Sequence, residues 1–383
     1  MNILTGLFWV CFDAKYNYWL RLFDVVVNQQ VVVVGSGIIG ASVALACQDL
    51  GAEVTVLDKG RLGGIASGNS FGWINASFAE NQDYFDLRNE ALERFRALDQ
   101  RLSLENHMRW QGTLWWEDVG HDFAEQFQVL TKRGYPSKLL KYSEIEILEP
   151  HLREVPNEAI LTATEGAAQA KSVACAILDE VKRNGGTVRG CVPVTGVRQA
   201  AGRVCSVQTE VGELLCDVVV LATGAAAQNV LSGLDWTLPM ANNEGIILQT
   251  DPLPQVIQHV LMTPDVHFRQ NLDGSFVAGE IFNGEINPNV SAIGLASEII
   301  SRIQTKLRNV PKLRLAEVKI GIRPVPLDGM PVIGAVPGLV GAYTAIMHSG
   351  VTLGPFVGQL LASEILDGYE SPLLKLFRPV RFA

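Results

Sequence analysis

Apolar runs separated by Gly-, Asn- and Asp-rich breaks divide the chain into a succession of short strands and helices. Val31, Val32, Val33 and Val34 are four consecutive β-branched residues with no polar alternation, the pattern of a strand buried on both faces of a parallel sheet. They run directly into Gly35-Ser36-Gly37-Ile38-Ile39-Gly40, a helical stretch over about 38–50, Gly51 at a helix C-cap position, and a second strand over 53–57 ending at Asp58. The helical period returns over 84–102, where Leu87, Ala91, Phe95 and Leu98 form one stripe, and over 123–134, 171–184, 291–307 and 354–366. Strands are predicted over 108–117, bounded by Gly112, and over 187–192, 204–209, 215–221, 315–320 and 342–347. The stretch from Trp236 to about Glu280 is strand-rich, with a turn at Asp273-Gly274.

The opening strand–glycine–helix–strand–acid unit carries chemistry. Gly35 permits the tight turn, Gly37 lets backbone approach a pyrophosphate, and Gly40 lets the helix pack closely on the strand. The helix points its unpaired N–H groups and positive dipole end at the phosphates. Asp58 falls where a carboxylate can accept both hydroxyls of an adenosine ribose, so the unit predicts a dinucleotide site. A loop rich in Gly, Ser and Asn follows at 59–78. Near the C-terminus, a second strand leads through a glycine-containing turn into a helix, again suited to a partly negative group.

Composition narrows the classes. With 383 residues, 48% hydrophobic and 19% charged, the chain is long enough for two intimately built domains. The net charge of −9 and the lack of a Lys/Arg run argue against nucleic acid or an anionic membrane as partner. Six cysteines without a C-x-x-C indicate neither a metal site nor a disulfide framework, and fit reduced core thiols in a cytoplasmic protein. Residues 1–30 contain an apolar run of ten positions, too short to span a bilayer and without secretory features. They read as an accessory extension or an upstream start, or else as an interfacial or subunit-contact helix.

Four ordered pieces resemble the D-amino-acid oxidase family of flavoproteins, in the branch containing glycine oxidase, sarcosine oxidase and bacterial D-amino-acid dehydrogenases, with an iminodiacetate oxidase-like member in view. They are GSGIIG with Asp58, the Ala-Ser-Gly-Asn loop at 66–69, LATGA at 221–225, and IRPVPLDGMPVIG with HSGVTLGP at 322–334 and 348–355. The resemblance implies an α/β fold: a Rossmann-like FAD-binding domain with an interleaved α+β substrate domain on an antiparallel sheet. The FAD-binding parts would be 31–85, 145–230 and 317–370, the substrate parts 86–144 and 231–316, with an extension at 1–30 and a tail at 371–383. It also implies FAD as cofactor. The absence of cysteine after Cys216 and of histidine over 60–80 points to noncovalent attachment.

Carried over residue by residue, the resemblance assigns FAD to Gly35, Ser36, Gly37, Ile38, Ile39, Gly40, Asp58, Lys59 and Arg61, then to Ala66, Ser67, Gly68, Asn69, Ser70 and Gly72. Val194, Ala222, Thr223 and Gly224 follow, and the turn Ser349, Gly350, Val351, Thr352 and Leu353 takes the pyrimidine end of the ring. Arg323 matches the arginine that grips a substrate carboxylate, a task suited to its planar fork, although an arginine at a turn can equally sit in a surface ion pair. His267 stands where relatives place a substrate-facing tyrosine, or else is a satisfied structural histidine; Arg269 faces pocket or solvent; and His348, just before the flavin turn, lines the pocket or serves packing. Two departures stand out: the turn after His348 lacks the arginine of glycine oxidase-like chains, and Glu244 occupies a position where many relatives have arginine. The implied activity is oxidation of the C–N bond of a small amino acid, a secondary amine of iminodiacetate, sarcosine or glycine type, by hydride transfer to flavin and imine hydrolysis, with oxygen or another acceptor. A D-amino-acid dehydrogenase using a quinone, a 2-hydroxy-acid oxidase and a noncatalytic flavin-binding subunit of a hetero-oligomeric oxidase remain alternatives.

Overall fold

The computed structural model describes residues 29–116, 123–227, 234, 236–281 and 291–383, so the reading of the first 28 residues lies outside it. Its first layer is a six-stranded sheet of β1 (Gln30–Val34), β2 (Glu53–Leu57), β9 (Thr187–Arg189), β13 (Val218–Leu221), β19 (Val332–Ala335) and β20 (Ala342–Ile346), in the order β19-β20-β13-β1-β2-β9. All neighbours are parallel except the β19–β20 pair. β1 lies in the interior between β13 and β2, which explains the unbroken valine run: Val31 to Val34 are all buried. Helices α1 (Ile38–Asp49), α3 (Gln82–Leu102) and α6 (Ala170–Arg183) pack with the C-terminal helix α8 (Gly350–Asp367) in one continuous core with this sheet.

The second layer is an eight-stranded sheet of β5 (Thr113–Trp115), β6 (Lys138–Lys141), β7 (Glu158–Thr162), β14 (Glu244–Thr250), β15 (Val260–Met262), β16 (His267–Gln270), β17 (Phe276–Ile281) and β18 (Leu315–Ile322). Its order is β18-β14-β17-β16-β15-β5-β7-β6, antiparallel apart from the β15–β5 pair. One face buries Leu114, Leu248, Phe268 and Phe276 in a core shared with Ile299 and Ile303 of α7 (Ala292–Lys306). The other face looks toward the first layer, across a three-stranded sheet of β3 (Trp73–Ile74), β4 (Met108–Arg109) and β8 (Gly166–Ala168). A separate meander of β10 (Val194–Ala200), β11 (Arg203–Thr209) and β12 (Gly212–Leu215) completes the sheets, and α2 (Ile65–Gly68), α4 (Phe123–Lys132) and α5 (Tyr142–Leu148) fill the connections.

Several expectations shift. β7 (Glu158–Thr162) pairs with β5 and β6, and β18 (Leu315–Ile322) pairs with β14. Both therefore belong to the antiparallel sheet, although 145–230 and 317–370 were assigned to the FAD-binding part. The apolar run 215–221 is two strands: β12 ends at Leu215, and Asp217 turns the chain by bonding both the N–H and the C=O of Gln30. The run 108–117 likewise splits into β4 and β5 at Gly112, whose φ of +75° a side chain rarely adopts. The last helix begins at Gly350 rather than Gly354, so the whole glycine turn enters the helix.

The tightest helix packing is between α1 and α8. A Cβ placed on Gly358 would lie 2.7 Å from the carbonyl carbon and oxygen of Ser42, backbone atoms that cannot move aside. Gly358→Ala is expected to lower unfolding stability by about 1–3 kcal/mol. The effect would be read as a lower urea midpoint at unchanged slope, and an unaltered midpoint would show that the two helices are not in forced contact.

Candidate active site

At the C-terminal edge of β1 the chain turns on Gly35, whose φ of +110° and whose place against Ala222 both require glycine: a Cβ would sit 2.3 Å from the Ala222 carbonyl oxygen. A Cβ on Gly40 would lie 1.9 Å from the Gly35 oxygen, so α1 presses on the elbow. Gly37 differs: a side chain there would meet Ser67 Oγ at 3.3 Å and little else, which leaves its backbone open to a ligand. Gly37 is also the N-cap of α1 and has no side chain to accept from the first turn, and no acidic residue there offsets the dipole. The one polar side chain reaching that turn is Ser67, whose Oγ accepts from Ile38 N–H at 3.1 Å.

Asp58 is more heavily engaged than its sequence position suggests. One carboxylate oxygen accepts from the Ser36 N–H and hydroxyl, each at 2.7 Å, and the other from Gly60 N–H at 2.8 Å. The residue thus fixes both edges of the elbow while keeping lone pairs for a ligand. Lys59 and Arg61 stand exposed on the rim, and Val194 is half-buried at the start of β10. In the Ala222-Thr223-Gly224 turn the buried Thr223 Oγ1 has no hydrogen-bond partner. An uncapped helix end, an open glycine and an orphaned hydroxyl side by side fit the diphosphate and sugar of a dinucleotide.

Residues 63–72 fold over this cradle. Ala66, Ser67 and Gly68 lie in α2, Asn69 packs against Gly321 of β18, and Ser70 Oγ accepts from Gly72 N–H at 2.9 Å. Gly72, at φ +74°, is clamped to β8: a Cβ would be 1.9 Å from the Ala168 oxygen, and Ala168 N–H donates to the Gly72 oxygen at 2.8 Å. A polar cavity of about 150 Å³ opens beside this loop between Ser67, Ser70, Gln169, Lys171, Gln249 and Lys319, and stops short of Arg323 and His348.

The second positive helix end is α8. Its N-cap, Ser349, adopts φ +55°, no side chain caps the first turn, and Gly350 approaches Ile39 of α1. Thr352 Oγ1 accepts from Asn75 N–H at 3.2 Å and so joins the turn to the segment after β3. His348 is surrounded by protein atoms yet keeps an exposed surface, and its Nδ1 lies 3.3 Å from Ser349 Oγ. Burial, and then the positive charges of Arg323 and Arg88, push its pKa down to about 4, so the imidazole is neutral at pH 7. Arg323 continues the β18 pairing through its N–H to the Asn243 oxygen at 2.8 Å. Among the described residues its guanidinium has neither a hydrogen-bond nor an ion-pair partner, and burial lowers its pKa.

Arg269 contrasts with Arg323. It is 4% exposed; Nε donates to the Phe71 oxygen at 2.7 Å, Nη1 to Asn271 Oδ1, and Nη2 to the Ala168 oxygen at 3.3 Å. Burial lowers its pKa to about 10, with Asp273 acting in the opposite sense. Three of its N–H groups are engaged, two of them tying the eight-stranded sheet to the 66–72 loop and β8, and the residue also borders the polar cavity. His267 shares a sheet row with Gly279, Ile247 and Lys319, which by strand alternation places it on the Arg323 face, three strands away. Glu244 pairs with Ile322, one residue out of phase, and stands on the opposite face from Arg323. The structure therefore groups Arg323 with His348 and separates both from Arg269. Arg88, Tyr84 and Asn75, which surround the foot of α8, were not singled out from sequence; the available signal was an arginine on the apolar stripe of α3. Among the described residues no cluster of His, Cys, Asp and Glu has the arrangement of a metal site.

Residues 30–364 match the family model described as FAD dependent oxidoreductase, DAO. Glycine oxidase of Pseudomonas putida is 26% identical over 365 residues, covering 90% of this chain and 96% of that protein. An uncharacterized oxidoreductase of Bacillus subtilis, YurR, is 25% identical over 360 residues, covering 88% and 94%. Among solved structures, glycine oxidase from Geobacillus kaustophilus superposes with a TM-score of 0.83 at 21% identity, covering 93% of this chain and 100% of that one. Iminodiacetate oxidase from Chelativorans gives 0.78 at 23%, covering 91% and 98%. At these identities the structural likeness speaks to the fold, which is the expected α/β arrangement.

The neutral state of His348 can be measured directly. In ring-labelled protein its resonance, identified by loss in His348→Asn, is expected to titrate with a midpoint near 4, and Arg323→Gln should move that midpoint upward. A midpoint at the ordinary 6.5 would mean that the ring is solvated and free of both arginines.

Proposed function

Because the chain belongs to the DAO family of FAD-dependent oxidoreductases, we propose that it oxidises the C–N bond of a small amino acid carrying one carboxylate, a secondary amine of sarcosine type, to an imine that water hydrolyses, with oxygen as acceptor. The observation that carries this reading is Arg323, a half-buried guanidinium on the cleft face of the sheet with no partner of its own among the described residues. A desolvated cation in that state is matched by a planar anion that accepts two parallel N–H bonds, and a substrate carboxylate is such an anion. A single carboxylate is favoured over two because Arg269, the other buried arginine considered for this role, already gives a hydrogen bond from each of its three side-chain nitrogens to a protein acceptor, whereas the Arg323 guanidinium gives none among the described residues.

In this assignment Gly35 to Gly40, Asp58, the 66–72 loop and Ala222 to Gly224 hold the FAD noncovalently, and the first turn of α8 receives the pyrimidine end of its ring. Bound FAD supplies a two-electron acceptor that gains negative charge at that end. The residues of the chain do the rest. Arg323 fixes the carboxylate and with it the direction of the reacting C–H bond, an orientation effect rather than a chemical one. His348, neutral at working pH, offers a hydrogen bond without adding a charge that would compete with Arg323 for the carboxylate. No acid–base pair is needed if the amine enters unprotonated. The N–H groups at the start of α8 face the developing charge in a fixed geometry that needs no reorganisation.

Replacing Arg323 with Ala is expected to raise KM and lower kcat together, reducing kcat/KM by about 100- to 1000-fold, with Lys restoring part of the loss. The substrate class is tested by anaerobic bleaching with glycine, sarcosine, iminodiacetate, proline and D-alanine, followed by peroxide measurement under air. Sarcosine-type amines should bleach the protein faster than iminodiacetate. Fastest reaction with iminodiacetate would require a second basic group and overturn the single-carboxylate reading. A yellow protein that no amine bleaches would end the amine assignment, and dye reduction without peroxide would replace oxygen as acceptor.

A further inference from the structure

Beneath the first turn of α8 lies a cation that the assignment above does not use. Arg88, on α3, is 4% exposed. Nε donates to the Asn75 oxygen at 3.1 Å, Nη1 to the Phe78 oxygen at 3.1 Å, and Nη2 to Asn75 Oδ1. All three acceptors are neutral. Among the described residues no carboxylate comes within ion-pair distance of it. A buried guanidinium satisfied only by amides pays its desolvation with little Coulombic return, and a neutral side chain of similar length would fill the space at lower cost.

Two short chains of contacts lead from Arg88 to α8. Asn75, which accepts twice from it, donates its own N–H to Thr352 Oγ1 in the first turn. Tyr84, one helical turn before Arg88, lies under the guanidinium with its ring centroid 5.4 Å away, and the Ser349 side chain at the N-cap is close enough to act on its hydroxyl, lowering a pKa that burial raises. The α8 terminus is itself positive and uncapped, with no acid in its first turn. Like charges have been stacked there, an arrangement unfavourable in the protein alone and relieved by an anion. The depressed pKa of His348 reports the same field, since Arg88 contributes to it.

We propose that Arg88 is a positioning residue that holds a fixed positive charge under the α8 terminus and makes that terminus receptive to negative charge, raising the reduction potential of the flavin bound above it. The proposal rests on FAD binding at this turn, and is independent of which amine is the substrate. Arg88 touches neither substrate nor ring; it acts through Asn75, Thr352, Tyr84 and Ser349 and through its field.

The test compares Arg88→Lys, Arg88→Met and Arg88→Gln in the flavin-loaded protein. Two readouts are used that involve no turnover: the flavin potential by equilibration with reference dyes, and the Kd of sulfite, which adds to electron-poor flavins. A unit charge on the order of 10 Å away at an effective permittivity near 20 changes such an equilibrium by about tenfold. Met and Gln should therefore make the potential more negative and weaken sulfite binding about tenfold, whereas Lys should stay near wild type. The His348 midpoint, measurable without flavin, should rise in Met and Gln and not in Lys. Unmoved potential and sulfite affinity in folded Met or Gln variants would overturn the proposal, as would equal shifts in all three. Failure of both neutral variants to fold while Lys folds would assign Arg88 to stability and overturn it too. A potential that follows the charge in a protein that no amine bleaches would sink the substrate reading and support this one.

Discussion

The positive ends of α1 and α8 meet above the C-terminal edge of the six-stranded sheet, and among the described residues no acidic side chain neutralises the first turn of either. That unneutralised convergence is the constraint on which the rest depends. β1 and β20 are both parallel to β13, so the helices that follow them start at the same edge. Glycines at 35, 40, 354 and 358 then let strand, elbow and helices approach to distances at which a Cβ would collide or crowd. Side chains at these positions would part the helices and spread the dipole ends. As built, the chain gathers N–H groups around a space suited to an anion.

Around that space the arginines are used in different ways. Arg269 is a structural tie, its donors bonded to two carbonyls and an amide oxygen. Arg323, on the same face of the sheet, is left open to the cleft. Arg88 is buried on neutral acceptors behind α8. His348, lying within the field of Arg323 and Arg88, is held neutral by burial and by their charge. Of these arginines, one has no protein partner among the described residues and the other two are buried and hydrogen-bonded. Among the described residues no helix is long and apolar enough to cross a membrane.

Sequence made the elbow legible because its signals are local: a four-valine run, three glycines at fixed spacing and an acid at the end of the next strand all lie within 28 residues, Val31 to Asp58. The long helices were legible for the same reason, with α3, α6 and α7 within two residues of their periodic patterns at each end. The sides taken by β7 and β18 were not, since a strand's sheet is decided by distant partners rather than by its own alternation. β6, α5, β7 and β8 went unassigned because they are short, and short elements are fixed by neighbours rather than by period. The commitments of Arg269 depend on carbonyls 198 and 101 positions away. Arg88 was hidden in plain view: a charged residue on an apolar stripe signals a buried partner without naming it.

The sheet order carries a consequence for the life of the molecule before it is finished. The elbow, at residues 35–40, is synthesised long before β20 and α8, which must dock against β13 and α1. Until then the buried flank of α1, including Ile38, Ser42 and Val43, has no cover on that side. The nascent chain therefore carries a half-built nucleotide cradle until β20 and α8 have been made. Capture of the cofactor and closure of the core then become one event, which waits on those two elements.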